Sequence, residues 1–387
     1  MQQQVIRMSQ SFATITDFLE PISIAALSND EGYKETQLGK HIAVFDEDGF
    51  PDIAHADMVL VGTNETRGAG IPATKQSAAD AIRSAFYSLY HWHDTVQIAD
   101  IGNVKIGATL QDSYAALQSV VNDLVAAGKK VIILGGSHDI SLAQYQVYAA
   151  NEQIIEASCI DAKIDIDFDA PLPADHFLLP MLTGDPNYIK HYNHIGFQSY
   201  MVHPRMLETI DKLRFDCYRV GRVKEHLEDM EPVLRNSHML TIDIAAIAHA
   251  FAPANLLTPN GFNGEEICTL MQYAGMSHLT STIGIYGYLT VNDERHLTAV
   301  QISHMLWYVM DGIHKGKFEA ALEDRDSFNE FYMAFAETDT VFLQSKRTGR
   351  WWMQLPNETW MACSYKDYQI ACNNDIPERW LRAIERM

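Results

Sequence analysis

The chain has 387 residues, 47% of them hydrophobic and 20% charged, which is ordinary for a globular protein with a well-buried core. Fifty acidic residues against 29 basic ones leave a formal net charge of −21. That balance argues against a nucleic-acid backbone or an anionic membrane surface as the main partner, because both require a cationic footprint.

Residues 1–55 read as an irregular N-terminal extension. Its opening, MQQQVIRMSQSFATITDFLE, lacks an apolar segment followed by a small-residue cleavage site. No apolar run reaches the roughly 20 residues that cross a bilayer. The five cysteines, Cys159, Cys217, Cys268, Cys363 and Cys372, are scattered without CxxC or CxxH spacing, so reduced thiols are expected. A cytoplasmic protein is the expectation. Apolar strands follow at 58–62, 96–102, 130–136, 157–165, 194–200, 215–221, 238–247 and 281–289. Helical periodicity appears at 75–90, 111–128, 204–213, 263–275 and 295–312. Continuously apolar strands separated by helices imply an α/β fold with a parallel sheet covered on both faces. In such sheets, sites gather beyond the carboxyl ends of the strands. No linker or repeat divides residues 56–314, which read as one domain. After 315 the pattern changes. TVFLQSKRTGRWWMQLP reads as a β-hairpin with RTGR at its turn, and DIPERWLRAIERM as a short helix with Pro377 in its first turn. Residues 315–387 are expected to form a hairpin-plus-helix appendage packed on the core, serving as a lid or an oligomer contact. Its Trp351, Trp352 and Trp360 are read as packing residues, the alternative being an aromatic cage.

Three strand ends carry the chemistry. VIILGGSHDIS places His138 after a Gly-Gly turn at the start of a helix. LTIDIAAIAHAFAPA ends an apolar strand on Asp243. SCIDAKIDIDFD sets Asp161, Lys163 and Asp165 at alternate positions. In an extended strand residues two apart share a face, so two carboxylates and one ammonium are expected to converge. His138, Asp161, Asp165 and Asp243 make a donor set of the kind Mn²⁺ accepts. Asp139 is expected to be a helix-start acid, Asp167 and Asp169 loop acids, and Cys159 a core residue.

Together, GGSHDIS, DAKID and TIDIAAIAHAFAPA…NGF resemble the GGDHS, DAHxD and SxDxDxxDP motifs of the arginase/agmatinase/formimidoylglutamase (ureohydrolase) superfamily. DMVLVGTNETRGAGI and GIYGYLTVNDERHLTA are also similar to family segments, so the resemblance covers about 55–312. The texture is closest to the formimidoylglutamase-like branch. The resemblance implies a three-layer α/β/α arginase-like fold with an eight-stranded mainly parallel sheet, and a homo-oligomer. It further implies a small-molecule ligand in the strand-end cleft, amidine or guanidino-like. The chemistry it implies is hydrolysis of a C–N bond by a hydroxide bridging two manganese ions.

Carried over residue by residue, the resemblance makes His138, Asp161, Asp165 and Asp243 the ligands of the first manganese. The two exclusive positions of the second manganese hold Lys163 and Ala245. The third acid of the DxDxxDP segment is Ala248 and its proline is His249. The acid implied to meet the substrate's guanidinium is replaced by Gly287, and His176 is the candidate for the family's catalytic histidine. An ammonium has no lone pair and cannot ligate a metal. Lys163 is instead expected to pair with Asp161 or Asp165, to lower the pKa of both, and to stay charged. Three functions remain open. One is a homologue with a degraded dinuclear site, holding one manganese ion or none and acting as a binding or structural protein. Another is an active single-metal manganese hydrolase of a linear C–N bond. The third is an enzyme of new chemistry in the same cleft, which would need a reactive Lys163.

Overall fold

Each run of β-branched and apolar residues becomes a strand. A computed structural model describes residues 15–28, 32–72, 77–335 and 338–385. The first strands are β1 (Leu19–Glu20), β2 (Ala43–Val44), β3 (Met58–Thr63), β4 (Ile98–Val104) and β5 (Lys130–Leu134). They are followed by β6 (Ile155–Ile160), β7 (Ile189–Phe197), β8 (Asp216–Arg219), β9 (Met239–Asp243) and β10 (Thr282–Tyr286). All ten join one sheet in the order β1-β4-β3-β5-β10-β9-β6-β7-β8, with β2 also on β4. Strands β3 to β10 are the eight expected from sequence, and every pairing among them is parallel. The N-terminal extension adds the two-residue strands β1 and β2 on β4.

Both faces of the sheet are apolar, and successive residues serve opposite sides. Val59, Val61, Val131 and Ile133 belong to one buried cluster, and Leu60, Ile132 and Leu134 to the other. The principal helices are α1 (Ala78–Tyr87), α2 (Leu110–Ala126), α3 (Ile140–Ala150), α4 (Pro204–Lys212), α5 (Gly264–Met276) and α6 (Leu297–Gly316). Residues of α2, α3 and α4 complete the first cluster, while α1, α5 and α6 complete the second. The result is the three-layer α/β/α arginase-like arrangement. Capping boxes at Thr109/Asp112 and Asn263/Glu266 set the starts of α2 and α5. One polar strut crosses the second layer. The fully buried Arg83 donates from Nε and Nη2 to both oxygens of Asp100, at 2.8 and 2.9 Å, fastening α1 to β4.

Several expected strands run too long, and two of them are stopped by an aspartate. The stretch 157–165 stops at Ile160, where the Asp161 side chain accepts the Lys163 backbone N–H at 3.3 Å and turns the chain. The stretch 238–247 stops at Asp243, whose Oδ1 accepts the Ala245 N–H at 2.7 Å and caps a single 3₁₀ turn. In both places a short acidic side chain outcompetes the ladder.

The C-terminal region is larger than a hairpin and a helix. It is a four-stranded antiparallel sheet of β11 (Phe328–Phe335), β12 (Thr338–Ser345), β13 (Trp351–Gln354) and β14 (Trp360–Cys363). Helices Tyr365–Cys372 and Glu378–Ile384 follow. The expected hairpin is β12–β13. This sheet packs against the amino ends of the main sheet's strands: Arg235, just before β9, donates to the Trp351 carbonyl at 2.9 Å and lies 4.3 Å over the Trp352 ring. Arg350 reaches the Met276 carbonyl, at the end of α5, at 3.5 Å. The lid expectation is therefore corrected, because the site lies at the opposite, carboxyl ends. Trp351 stacks on Tyr368 at 4.8 Å, and Trp351 and Trp352 are buried, as packing residues are. The cysteines are free thiols. Among the described residues no helix is long and apolar enough to cross a membrane.

Candidate metal centre

The carboxyl ends of β5, β10, β9 and β6, four neighbours at the middle of the sheet, supply the site. After β5, Gly135 and Gly136 both adopt left-handed backbone, with φ of 86° and 82°. A Cβ on Gly136 would lie 3.0 Å from the Glu65 carbonyl oxygen, so only glycine passes here without strain. This turn delivers His138 just ahead of α3. Asp161 is the first residue past β6, and Asp243 is the last residue of β9.

All four residues implied for the first metal meet. His138 Nδ1 lies 3.2 Å from Asp161, 3.1 Å from Asp165 and 3.8 Å from Asp243. Its Nε2 faces away, 3.5 Å from Thr241 Oγ1 and 3.8 Å from Cys159 Sγ. One ligand atom each from His138, Asp161 and Asp243 all fall within 4.8 Å of one another. Donors on opposite sides of a hard cation with bonds of roughly 2.3 Å sit about 4.6 Å apart, so the set fits one such ion. One imidazole with carboxylates is also the chemistry a manganese-type ion accepts.

The electrostatics correct one expectation. Burial, with Asp165 and Asp243 adding to it, pushes Asp161 up to about 8 rather than down. Burial raises Asp243 likewise. Burial also acts upward on Asp165, but the hydrogen bond and charge of His138, joined by Lys163, outweigh it and hold Asp165 below the usual carboxylate range. Burial works against charge on His138, yet Cys159, Asp161 and Asp165 together keep it well above an ordinary imidazole. Three acids crowd one positive centre, which is the condition a bound cation would relieve.

Lys163 reaches into the same place. Its Nζ is 2.9 Å from Asp175 and 3.5 Å from Asp165. Burial opposes its charge, but Asp165, Asp175 and Asp161 outweigh that and keep it protonated. Pairing with Asp165 was expected. The Asp161 contact runs through the lysine's backbone N–H instead, and the nearest partner, Asp175, was missed. Its signal lay beside His176, in the same ADH triplet. The His176 imidazole is not part of the cavity lining, and its Nδ1 is buried without a hydrogen-bond partner among the described residues.

The remaining positions have structural roles. Ala245 is buried and anchors Asp243 through its N–H. Ala248 N–H donates to the Phe262 carbonyl at 2.9 Å, and the His249 ring meets the Asn255 carbonyl at 2.8 Å, closing the loop beyond Asp243. Gly287 has φ of 79°, and a Cβ there would lie 2.6 Å from an Asp243 carboxylate oxygen. No side chain fits at 287 beside Asp243 as it stands. Asp139 stands at the start of α3, but its carboxylate takes the Tyr114 hydroxyl and stays out of the cavity. Asp167 and Asp169 are exposed loop acids. Cys159 is core, and it also backs His138. Burial raises its thiol, but His138 and His194 outweigh that and bring it down to about 6. A cavity of about 250 Å³ opens over the site. A larger one, about 670 Å³, lies between the β7–β8 side of the sheet and the C-terminal region and contains none of these residues.

The arginase family's sequence profile matches residues 56–311, and the chain belongs to that family. A formimidoylglutamase of Hahella chejuensis is 27% identical over 172 residues, covering 41% of this chain and 52% of that protein. The chain thus spans about half the length of that relative. Among solved structures, the Bacillus subtilis formimidoylglutamase superposes with a TM-score of 0.63 at 18% identity, covering 74% of this chain and 95% of that one. A Trypanosoma cruzi formiminoglutamase with Mn²⁺ gives 0.60 at 14% identity, with coverage of 67% and 94%. The agmatine ureohydrolase of Thermoplasma volcanium gives 0.57 at 18%, with coverage of 72% and 94%. At these identities the structures speak for the fold.

Proposed function

We propose that this arginase-family chain holds a single divalent cation at His138, Asp161, Asp165 and Asp243. In this reading it binds an amine or amidine small molecule there, without dinuclear guanidino hydrolysis. The observation that carries the reading is Lys163, whose ammonium lies 3.5 Å from Asp165 and 2.9 Å from Asp175, on the position the family gives to a second-metal ligand. An ammonium repels a cation and offers it no lone pair. Ala245 takes away the other exclusive ligand of that metal. When bound, a cation such as manganese supplies Lewis acidity and an acidified water. The residues of the chain position it: Thr241 faces the outer nitrogen of His138, and the Ala245 N–H orients Asp243.

Metal analysis of manganese-loaded protein tests this, with an expected stoichiometry near one per chain. Two ions per chain in the wild type would refute the loss of the second site, and none would refute the first. Arginine, agmatine and formimidoylglutamate are expected to release no urea, ammonia or formamide. A second reading, a single-metal hydrolase, draws on the Asp243 side chain, which is 17% exposed on the cavity side and leaves room for water beside it. It requires turnover with one ion bound that collapses in Asp243→Asn.

A further inference from the structure

The floor and walls of the 250 Å³ cavity differ in chemistry. Among the described residues of the floor, Asp161, Asp165, Asp175 and Asp243 face Lys163 and His138. With His138 neutral, as a ligand to a metal must be, the ammonium and one divalent cation leave one carboxylate charge uncompensated. A guanidinium or amine head group is complementary to such a floor.

Among the described residues, the walls offer little to a polar tail. Thr66 Oγ1 donates to the Ile71 carbonyl at 3.0 Å. Asn255 gives its Nδ2 to the Ile247 carbonyl at 2.7 Å, and its Oδ1 accepts the Leu257 N–H at 2.9 Å. Arg67, close by on the same loop as Thr66, is taken up by Glu65 at 2.6 Å and by the carbonyls of Gly107 and Thr109 at 3.0 and 3.1 Å. Among the described residues lining the cavity, Lys163 and His138 are the only cations, and both already face carboxylates. What the walls do present is hydrocarbon from Ile71, Leu172, Ala254 and Leu289. At the mouth stand Leu256 and Leu257, 69% and 46% exposed. Single exposed leucines are unremarkable, but two adjacent ones rimming a charged cavity form a patch that a ligand can cover. Asn255 holds their loop in place from below, so the patch is preformed.

We infer that the molecule taken by this site carries a cationic head on an apolar tail, and is not an amino acid bearing a carboxylate. The inference builds on the single-cation reading of the floor, and its test separates the two. Binding of n-alkylguanidines from methyl to hexyl is measured by calorimetry on manganese-loaded protein of known metal content. Arginine, agmatine and 6-guanidinohexanoate serve as polar-tailed comparisons. Each methylene that reaches the wall is expected to tighten binding about three- to fourfold. The polar-tailed ligands are expected to bind at least about tenfold more weakly than hexylguanidine, because their ends gain no partner there. Leu256→Asn with Leu257→Asn is expected to flatten the series while leaving methylguanidine unchanged. A flat series in the wild type, no binding of any member, or 6-guanidinohexanoate matching hexylguanidine would each overturn the inference. A rising series on protein with two manganese ions upholds the tail and sinks the single-cation reading. A flat series on protein with one ion does the reverse.

Discussion

Lys163 and Gly287 each sit against an acid of the candidate site. Lys163 shares its charge between Asp165, one of the four residues proposed to hold the cation, and Asp175, which is outside that set. Asp175→Asn would commit the ammonium to Asp165, so manganese affinity is expected to fall by up to about fivefold, the worth of a partly exposed pair. Titration with manganese checks the direction, and tighter binding would contradict it. The double variant Lys163→His/Ala245→Asp puts a donor at each of the two positions proposed to have lost the second ion, and metal analysis is expected to find two ions per chain instead of one. Gly287→Ala forces a side chain into left-handed backbone and against the Asp243 carboxylate. The backbone strain alone costs roughly 1–3 kcal/mol. A lower melting temperature together with lost manganese is expected, and retention of both would show that Asp243 can give way.

Among the elements, the charged side chains of SCIDAKIDIDFD gather as a period-two strand predicts, but not because they share a strand. The strand ends before Asp161, and past a turn built by the Asp161 side chain Asp165 reaches His138 while Lys163 reaches Asp165 and Asp175. A strand's periodicity is readable because every residue repeats one geometry. A turn is set by which hydrogen bond wins, and that depends on partners far away in sequence. The Arg83–Asp100 strut shows the same dependence: from sequence they are one charge on a helix and one in a strand, but the fold buries both completely. Arg83→Met is expected to cost about 3–5 kcal/mol in urea unfolding, because it strands a buried carboxylate. Adding Asp100→Asn, which removes the stranded charge and keeps an acceptor for the Tyr87 hydroxyl, should recover part of that loss, and failure to recover would point to packing rather than charge.

Across the whole molecule, the C-terminal sheet and the site occupy opposite ends of the central strands. Arg235 and Arg350 clamp that sheet at the amino ends, whereas Asp243 and Gly287 stand at the carboxyl ends. Trp351→Ala removes a buried ring and its stacking on Tyr368, a loss of about 3–5 kcal/mol. Hydrogen exchange is expected to quicken across β11–β14 while manganese content stays unchanged. A loss of metal in this variant would mean that the two ends are coupled.

The eight parallel strands and the convergence of His138, Asp161, Asp165 and Asp243 could be read from the amino-acid sequence alone. Hydrophobic runs and short motifs are local, and each carries its meaning within a few residues. The partnership of Lys163 with Asp175, the contact of Cys159 with His138, the crowding of Gly287 against Asp243 and the leucine rim over a charged floor came only with the tertiary structure. Lys163 and Asp175 meet through the fold of the one connection that follows β6, whereas the other three join separate segments whose proximity follows from the order in which the sheet assembles its strands.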